Sequence, residues 1–228
     1  REVQLIKQRL YEQIGIQRNE SIALRYQDRI GDVVTGKVTE VKKGTVFIDL
    51  SDGQGIMPKS EQIRTEQYQK GDFIKVSIKK IDTQRNTKII LSRITNELLK
   101  SLFEMEIPEV SAGLMQIKAS AREPGFKAKV AVHSRDKRLD PVGACIGMKG
   151  MRIKSISDEI NGDQIDVVLW DEDLAQFAIN AVHPAEITRV IIDEERDKIT
   201  LVADEGEMPK LIGKAGINIR LTRELLGK

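Results

Sequence analysis

The spacing of apolar and polar residues changes character along the chain. Over 1–28, Val3, Ile6, Leu10 and Ile14 fall at helical spacing, with Lys7, Arg9, Glu12 and Gln13 on the other faces. That predicts a helix, which Gly15 weakens by about 1 kcal/mol relative to Ala. Over 30–93 the pattern becomes short alternating runs. Val33-Val34, Lys37–Val41, Thr45–Leu50, Phe73–Ile78 and Lys88–Leu91 read as five strands. Gly44, Asp52-Gly53, Gly55-Ile56-Met57-Pro58 and Gly71-Asp72 read as the breaks between them. Short strands with glycine corners suit a small closed barrel. Helical spacing returns over 95–108, where Leu98, Leu99, Leu102, Phe103 and Met105 form the stripe and Pro108 ends it.

A compound unit follows. Strands Leu114–Ser120 and Lys127–Val132 are joined by Arg122-Glu123-Pro124-Gly125. Next come the apolar segment Pro141–Ile146, a glycine pair, helix 151–160 and strand Ile165–Trp170, so the order is αββααβ. The pattern then restarts. Asp171-Glu172-Asp173 puts acids at the favoured start of helix 173–181. Strands Thr188–Ile192 and Ile199–Ala203, helix 205–212, a second glycine pair and helix 217–226 complete the second round. The second round has no counterpart of the first round's closing strand, and a cut sheet edge is expected there.

The glycine pairs are the strongest chemical signal. Gly147-Met148-Lys149-Gly150 returns 66 positions later as Gly213-Lys214-Ala215-Gly216. Each is preceded by isoleucine, followed by apolar residues at once and again two positions on, and closed by a cation (Lys154, Arg220). A lone GxxG carries little, whereas a tandem copy with the same surround marks a duplicated unit. Paired glycines let backbone approach a ligand closely, and free N–H groups where a helix begins favour a phosphate.

Charge sharpens this picture. The net charge is only +2, so no global basic signature exists. Locally, Lys149, Arg152 and Lys154 follow one another without an acid, with Arg135, Lys137 and Arg138 just upstream. Residues 155–188 carry eight acids and no Lys or Arg. Such a split suggests one positive and one negative face, the positive one meeting phosphate. The single cysteine, Cys145, excludes an internal disulfide and fits a reducing cytoplasm. No apolar run is long enough for a membrane span. The chain opens on Arg1 inside a helical pattern, as a stretch of something longer would.

Three stretches together resemble the bacterial NusA family of transcription factors. They are Ala121–Gly125, then Asp140-Pro141-Val142-Gly143-Ala144-Cys145-Ile146-Gly147-Met148-Lys149-Gly150, then Ile165-Asp166-Val167-Val168-Leu169-Trp170-Asp171-Glu172. Pro184-Ala185-Glu186 and Val190–Glu194 add to them. The likeness is strong over 95–226, looser over 30–93 and weak over 1–28. It implies a multidomain protein: a connecting helix (1–29), an all-β, five-stranded OB-type (S1) barrel (30–94), and two α+β type II KH domains (95–171 and 172–228). It further implies binding of single-stranded RNA in nascent transcripts, with effects on pausing, termination and antitermination. The implied partners are RNA polymerase, chiefly through a domain before Arg1, and other antitermination factors. The implied protein is a cytoplasmic monomer, not an enzyme, needing no cofactor, metal or membrane.

KH units hold single-stranded backbone in their GXXG loops. The expected RNA contacts are therefore Gly147, Met148, Lys149, Gly150, Arg152 and Lys154, with Arg135 and Lys137. In the second copy they are Gly213, Lys214, Ala215, Gly216 and Arg220, with Arg223 near. Asn218 fits either a base-edge hydrogen bond or a local cap. The barrel lacks the aromatics its class often carries, so charge would do its binding, through Lys42, Lys43, Arg85, Lys88 and Arg93. Phe47 fits the core better than a stacking role, and Trp170 fits interdomain packing. His133 and His183 lack metal-ligand spacing. Cys145 has no histidine partner and reads as a buried thiol. Two other functions remain in view. One is the cap or arm of an RNA-degrading complex (exosome or polynucleotide phosphorylase), which also joins such a barrel to KH units. The other is a protein scaffold using its acidic faces.

Overall fold

The computed structural model describes Gln4, Ile6, Lys7, Ser21 and residues 24–228 except Asp52 and 84–86. Most of the helix expected over 1–28 lies outside the described residues. Those described there, from Gln4 to residues 24–27, are helical. The chain divides into two compact units, Arg1–Leu98 and Leu99–Lys228.

In the first unit five strands close into a barrel in the order β1-β2-β3-β5-β4. They are β1 (Val33–Lys42), β2 (Thr45–Leu50), β3 (Gly53–Met57), β4 (Phe73–Asp82) and β5 (Lys88–Ser92). All neighbours are antiparallel except β3 and β5. Five strands were expected, but two assignments need correction. Val33-Val34 and Lys37–Val41 are one strand, and Gly55-Ile56-Met57 is strand β3 rather than a break. Both errors come from glycine. A Cβ on Gly36 would lie 2.3 Å from Ile48 Cγ2, and one on Gly55 would lie 2.3 Å from Leu91 Cδ1. These glycines sit inside strands because a neighbour's side chain lies against the backbone there. Val38, Val46, Ile48, Met57, Val76, Ile78 and Leu91 fill the interior.

Helix α1 (Asn96–Glu106) carries the chain from the first unit into the second, and its Leu98, Leu99, Leu102 and Phe103 are buried as expected. Met105, placed in the same stripe by spacing, is exposed. Pro108 ends α1 and also opens α2 (Pro108–Ser111), since a first-turn proline loses no helical hydrogen bond. β6 (Met115–Glu123) pairs antiparallel with β7 (Lys127–Ser134), and β8 (Gln164–Leu169) lies parallel to β7. Between β7 and β8 come α3 (Pro141–Ile146) and α4 (Met151–Glu159). The second round holds α5 (Leu174–Val182), β9 (Arg189–Asp193), β10 (Lys198–Val202), α6 (Met208–Ile212) and α7 (Ile217–Leu226). The helix expected over 205–212 splits into a 3-10 turn, Glu205–Glu207, and α6, where Pro209 occupies the first turn.

The first three-stranded sheet also receives α5 and α7 from the second round. Ala121, Ala131 and Val168 pack against Phe177, Ala181, Leu221 and Leu225, with Trp170 half-buried at the edge. Trp170 thus packs between the two rounds, edge-on to His133 at 5.0 Å between ring centroids. Small alanines on the strands leave room for helices to come close. One cation is trapped in this layer. Lys129 is buried and its Nζ donates to the Ala181 carbonyl at 2.8 Å and to Asp166 at 3.2 Å. Thr222 Oγ1 donates to the same carbonyl. Burial pulls the Lys129 pKa below its ordinary value, and Asp166 opposes that shift. The position at the C-terminal end of α5 also favours a cation.

Candidate nucleic-acid interface

Each GxxG is the same piece of backbone built twice. Helix α3 ends at Gly147 (φ 71°, ψ 178°), and α6 ends at Gly213 (φ 71°, ψ 174°). Only glycine adopts that conformation readily. A single 3-10 turn follows, Met148–Gly150 or Lys214–Gly216, with its middle residue left-handed. That residue is Lys149 in the first copy (φ 53°) and Ala215 in the second (φ 53°). Gly150 (φ 75°) and Gly216 (φ 72°) are also left-handed and lead directly into α4 and α7. The turn therefore sets an exposed tip at the start of a long helix, whose first amide, Met151 or Ile217, donates back to Met148 or Lys214. Met148, Lys149, Lys214 and Ala215 are all exposed, as the tip assignment requires.

The surrounding cations divide into two groups. Lys149, Lys154 and Lys214 are exposed with no ion pair among the described residues, and so are Arg135 and Lys137 in the loop after β7. Others are committed elsewhere. Arg138 pairs with Asp136 and holds that carboxyl below its usual range. Arg223 Nε donates to the Lys228 carbonyl. Arg220, expected on RNA, instead bonds Glu123 at the end of β6 at 2.6 Å, joining the two rounds.

Two further expected contacts have partners inside the protein. Arg152 Nη1 donates to the Ala144 carbonyl at 2.8 Å and to Glu109 at 3.0 and 3.2 Å. The base-edge role of Asn218 gives way to the local one. Asn218 is buried and its Nδ2 donates to the Lys210 and Leu211 carbonyls, both at 3.1 Å. Sequence reasoning saw polar residues near a loop and lacked their acceptors, which are backbone carbonyls and, for Arg152, also the Glu109 carboxylate.

On the barrel, Lys43 (φ 49°) and Gly44 (φ 78°) form the tight β1–β2 turn, so the Lys43 side chain stands exposed at a hairpin tip. Lys88 and Lys42 are exposed too, while Arg85 lies outside the described residues. Arg93 is lost as a contact. It is 1% exposed, with two bonds to Glu66 and one to the Lys75 carbonyl, all within 2.7 Å. Phe47 was favoured for the core, but β2 buries Val46, Ile48 and Leu50 and leaves Phe47 half-buried on the outer face. Alternation alone carried that signal: Phe47 is out of phase with its neighbours. Phe73 is a surface aromatic the sequence reading missed. It is 72% exposed, with Lys37 Nζ 5.6 Å from its ring centroid.

Cys145 is buried, as expected, and burial pushes its thiol up to about 12, with Glu109 adding to the shift. At pH 8 a thiol reagent should therefore label the folded protein slowly and the urea-unfolded protein at once. Equal rates would place the sulfur at the surface. Among the described residues no cluster of three His, Cys, Asp or Glu is placed to hold a metal, and no helix is long and apolar enough to cross a membrane.

Known proteins match this arrangement in the same order. The S1 RNA binding domain matches residues 27–94, the NusA-like first KH domain 93–170 and the NusA-like second KH domain 174–228. The transcription termination/antitermination protein NusA of Rickettsia conorii is 41% identical over 208 residues, 89% of this chain and 41% of that protein. The Rickettsia prowazekii protein of that name is 40% identical over the same shares. The one from Thermus thermophilus is 41% identical over 226 residues, 98% of this chain and 57% of its own length. The chain thus spans between two fifths and three fifths of these relatives.

Proposed function

The chain belongs to the NusA family, as an S1 domain followed by two NusA-type KH domains, and we propose that it binds single-stranded RNA in nascent transcripts. Through that RNA it modulates pausing, termination and antitermination. Its proposed protein partners are RNA polymerase and other antitermination factors, and its proposed setting is the cytoplasm, as a monomer. The proposed modules are a connecting helix (1–29), the barrel (30–94) and KH domains at 95–171 and 172–228.

One observation carries the reading. Two loops of the same backbone conformation each expose a lysine where a helix begins. In this proposal the helix start and Lys149 or Lys214 hold phosphates while bases lie alongside. Arg135, Lys137 and Lys154 add charge, and the barrel adds Lys43, Lys88 and the outward rings of Phe47 and Phe73. No step needs catalysis; the chain orients RNA.

The test is a salt titration with labelled single-stranded RNA. Log affinity should fall linearly with log salt, by about 0.7 per phosphate neutralised. Lys149→Asp and Lys214→Asp should each weaken binding by at least about 1 kcal/mol, roughly fivefold. Undiminished affinity in both variants would remove the loops from the interface. Phosphate- and magnesium-dependent loss of the RNA would instead favour a degradation factor.

A further inference from the structure

Arg152 and Asn218 occupy the same place in the two copies. They are 66 positions apart, as are their acceptors, the carbonyls of Ala144 and Lys210. Each side chain reaches back from the first turn of the long helix to the last turn of the short helix before the loop. Each also crowds the loop's first glycine. A Cβ on Gly147 would lie 2.8 Å from Arg152 Cγ, and one on Gly213 would lie 2.6 Å from Asn218 Cβ. The two helix ends are thus tied together across the GxxG turn, by a guanidinium in one copy and an amide in the other.

We propose that Arg152 and Asn218 are positioning residues: each clamps its GxxG turn in the phosphate-holding shape without touching RNA itself. The proposal rests on the RNA-binding reading of the loops. Asn218 is buried, with its amide nitrogen 3.1 Å from two carbonyls, so it has little to offer a ligand. Arg152 resembles a phosphate contact by position, but its Nη1 is already bonded to a carbonyl and a carboxylate. Glu109 beside it would also repel an approaching phosphate.

The two roles separate by salt dependence. A phosphate contact, once removed, lowers the slope of log affinity against log salt by about 0.7. A clamp, once removed, lowers affinity and leaves the slope alone. Three proteins suffice: wild type, Arg152→Ala and Arg152→Asn, each titrated with a labelled random-sequence single-stranded RNA. Arg152→Ala should bind about fivefold or more weakly at unchanged slope. Arg152→Asn copies the second loop and should stay within about twofold of wild type, because an asparagine already makes the equivalent bond there.

A lower slope in both variants would make Arg152 an RNA contact and overturn the proposal. So would wild-type affinity in Arg152→Ala, or Arg152→Asn binding no better than Arg152→Ala. Amide hydrogen exchange in the free protein supplies a readout that needs no RNA. Gly147, whose N–H donates to the Gly143 carbonyl at 2.9 Å, and Gly150 should lose protection in Arg152→Ala and keep it in Arg152→Asn. If wild type binds no RNA while this exchange pattern holds, the clamp survives and the proposed function falls. Equal protection in all three proteins overturns the clamp.

Discussion

Asp163→Ala should destabilise the second unit by about 3–5 kcal/mol, the range for removing one partner of a buried ion pair. Thermal melting should show it as a drop on the order of 10–20 °C. Asp163 and Arg122 are both fully buried, 2.7 Å apart. The other oxygen of Asp163 accepts from the Gly125 amide at 2.8 Å, and its own carbonyl accepts from Ser157 Oγ at 2.7 Å. One residue thus fastens the end of α4 to the tip of the β6–β7 hairpin. Removing it takes the carboxylate from Arg122 where water is excluded, which is why the expected loss exceeds that of any surface pair here. A melting point within a few degrees of wild type would mean water reaches the site. Asp163→Asn keeps the shape and loses the charge, so it should fall between the two.

Gly213→Ala should be nearly as damaging, at about 3 kcal/mol or more, summing a strained backbone and an overpacked contact. The added Cβ would meet the Asn218 Cβ at 2.6 Å and its backbone nitrogen at 3.1 Å. Neither neighbour can swing aside. The loop must therefore rebuild, and RNA affinity through it should drop with stability. Gly216→Ala is the informative control. Gly216 is left-handed too, but nothing lies within 4 Å of its Cβ position, so about 1 kcal/mol is expected. The same chain already tolerates Lys149 and Ala215 in that conformation. Chemical denaturation of the two variants checks this, and equal losses would mean that crowding at Gly213 is not the cause.

The contrast between those glycines also marks what the sequence could reveal. Period and repetition were readable: the five-stranded barrel, the αββααβ order and both GxxG loops follow from spacing. Glycine was ambiguous. At Gly44 it makes a turn, whereas at Gly36 and Gly55 it makes room for a neighbour's side chain, and the letter is the same. Polar residues were ambiguous in another way. Arg152, Asn218, Arg220 and Arg93 all lie where a nucleic-acid contact is expected, and each bonds an acceptor within the protein. Their acceptors are backbone carbonyls or carboxylates distant in sequence, such as Glu123, which no local pattern reveals. The tips of the two loops, which need no partner to be identified, were readable as exposed.

The first sheet has a consequence for how this chain can be cut. Its far side is closed by α5 and α7, which belong to the second repeat, with Lys129 sealed beneath them. A fragment stopping near Trp170 would uncover Ala121, Ala131 and Val168 to water and take from Lys129 its Ala181 acceptor. The duplicate is therefore not a spare. One copy forms the roof of the other, so the earlier repeat expressed without the later one should lose stability.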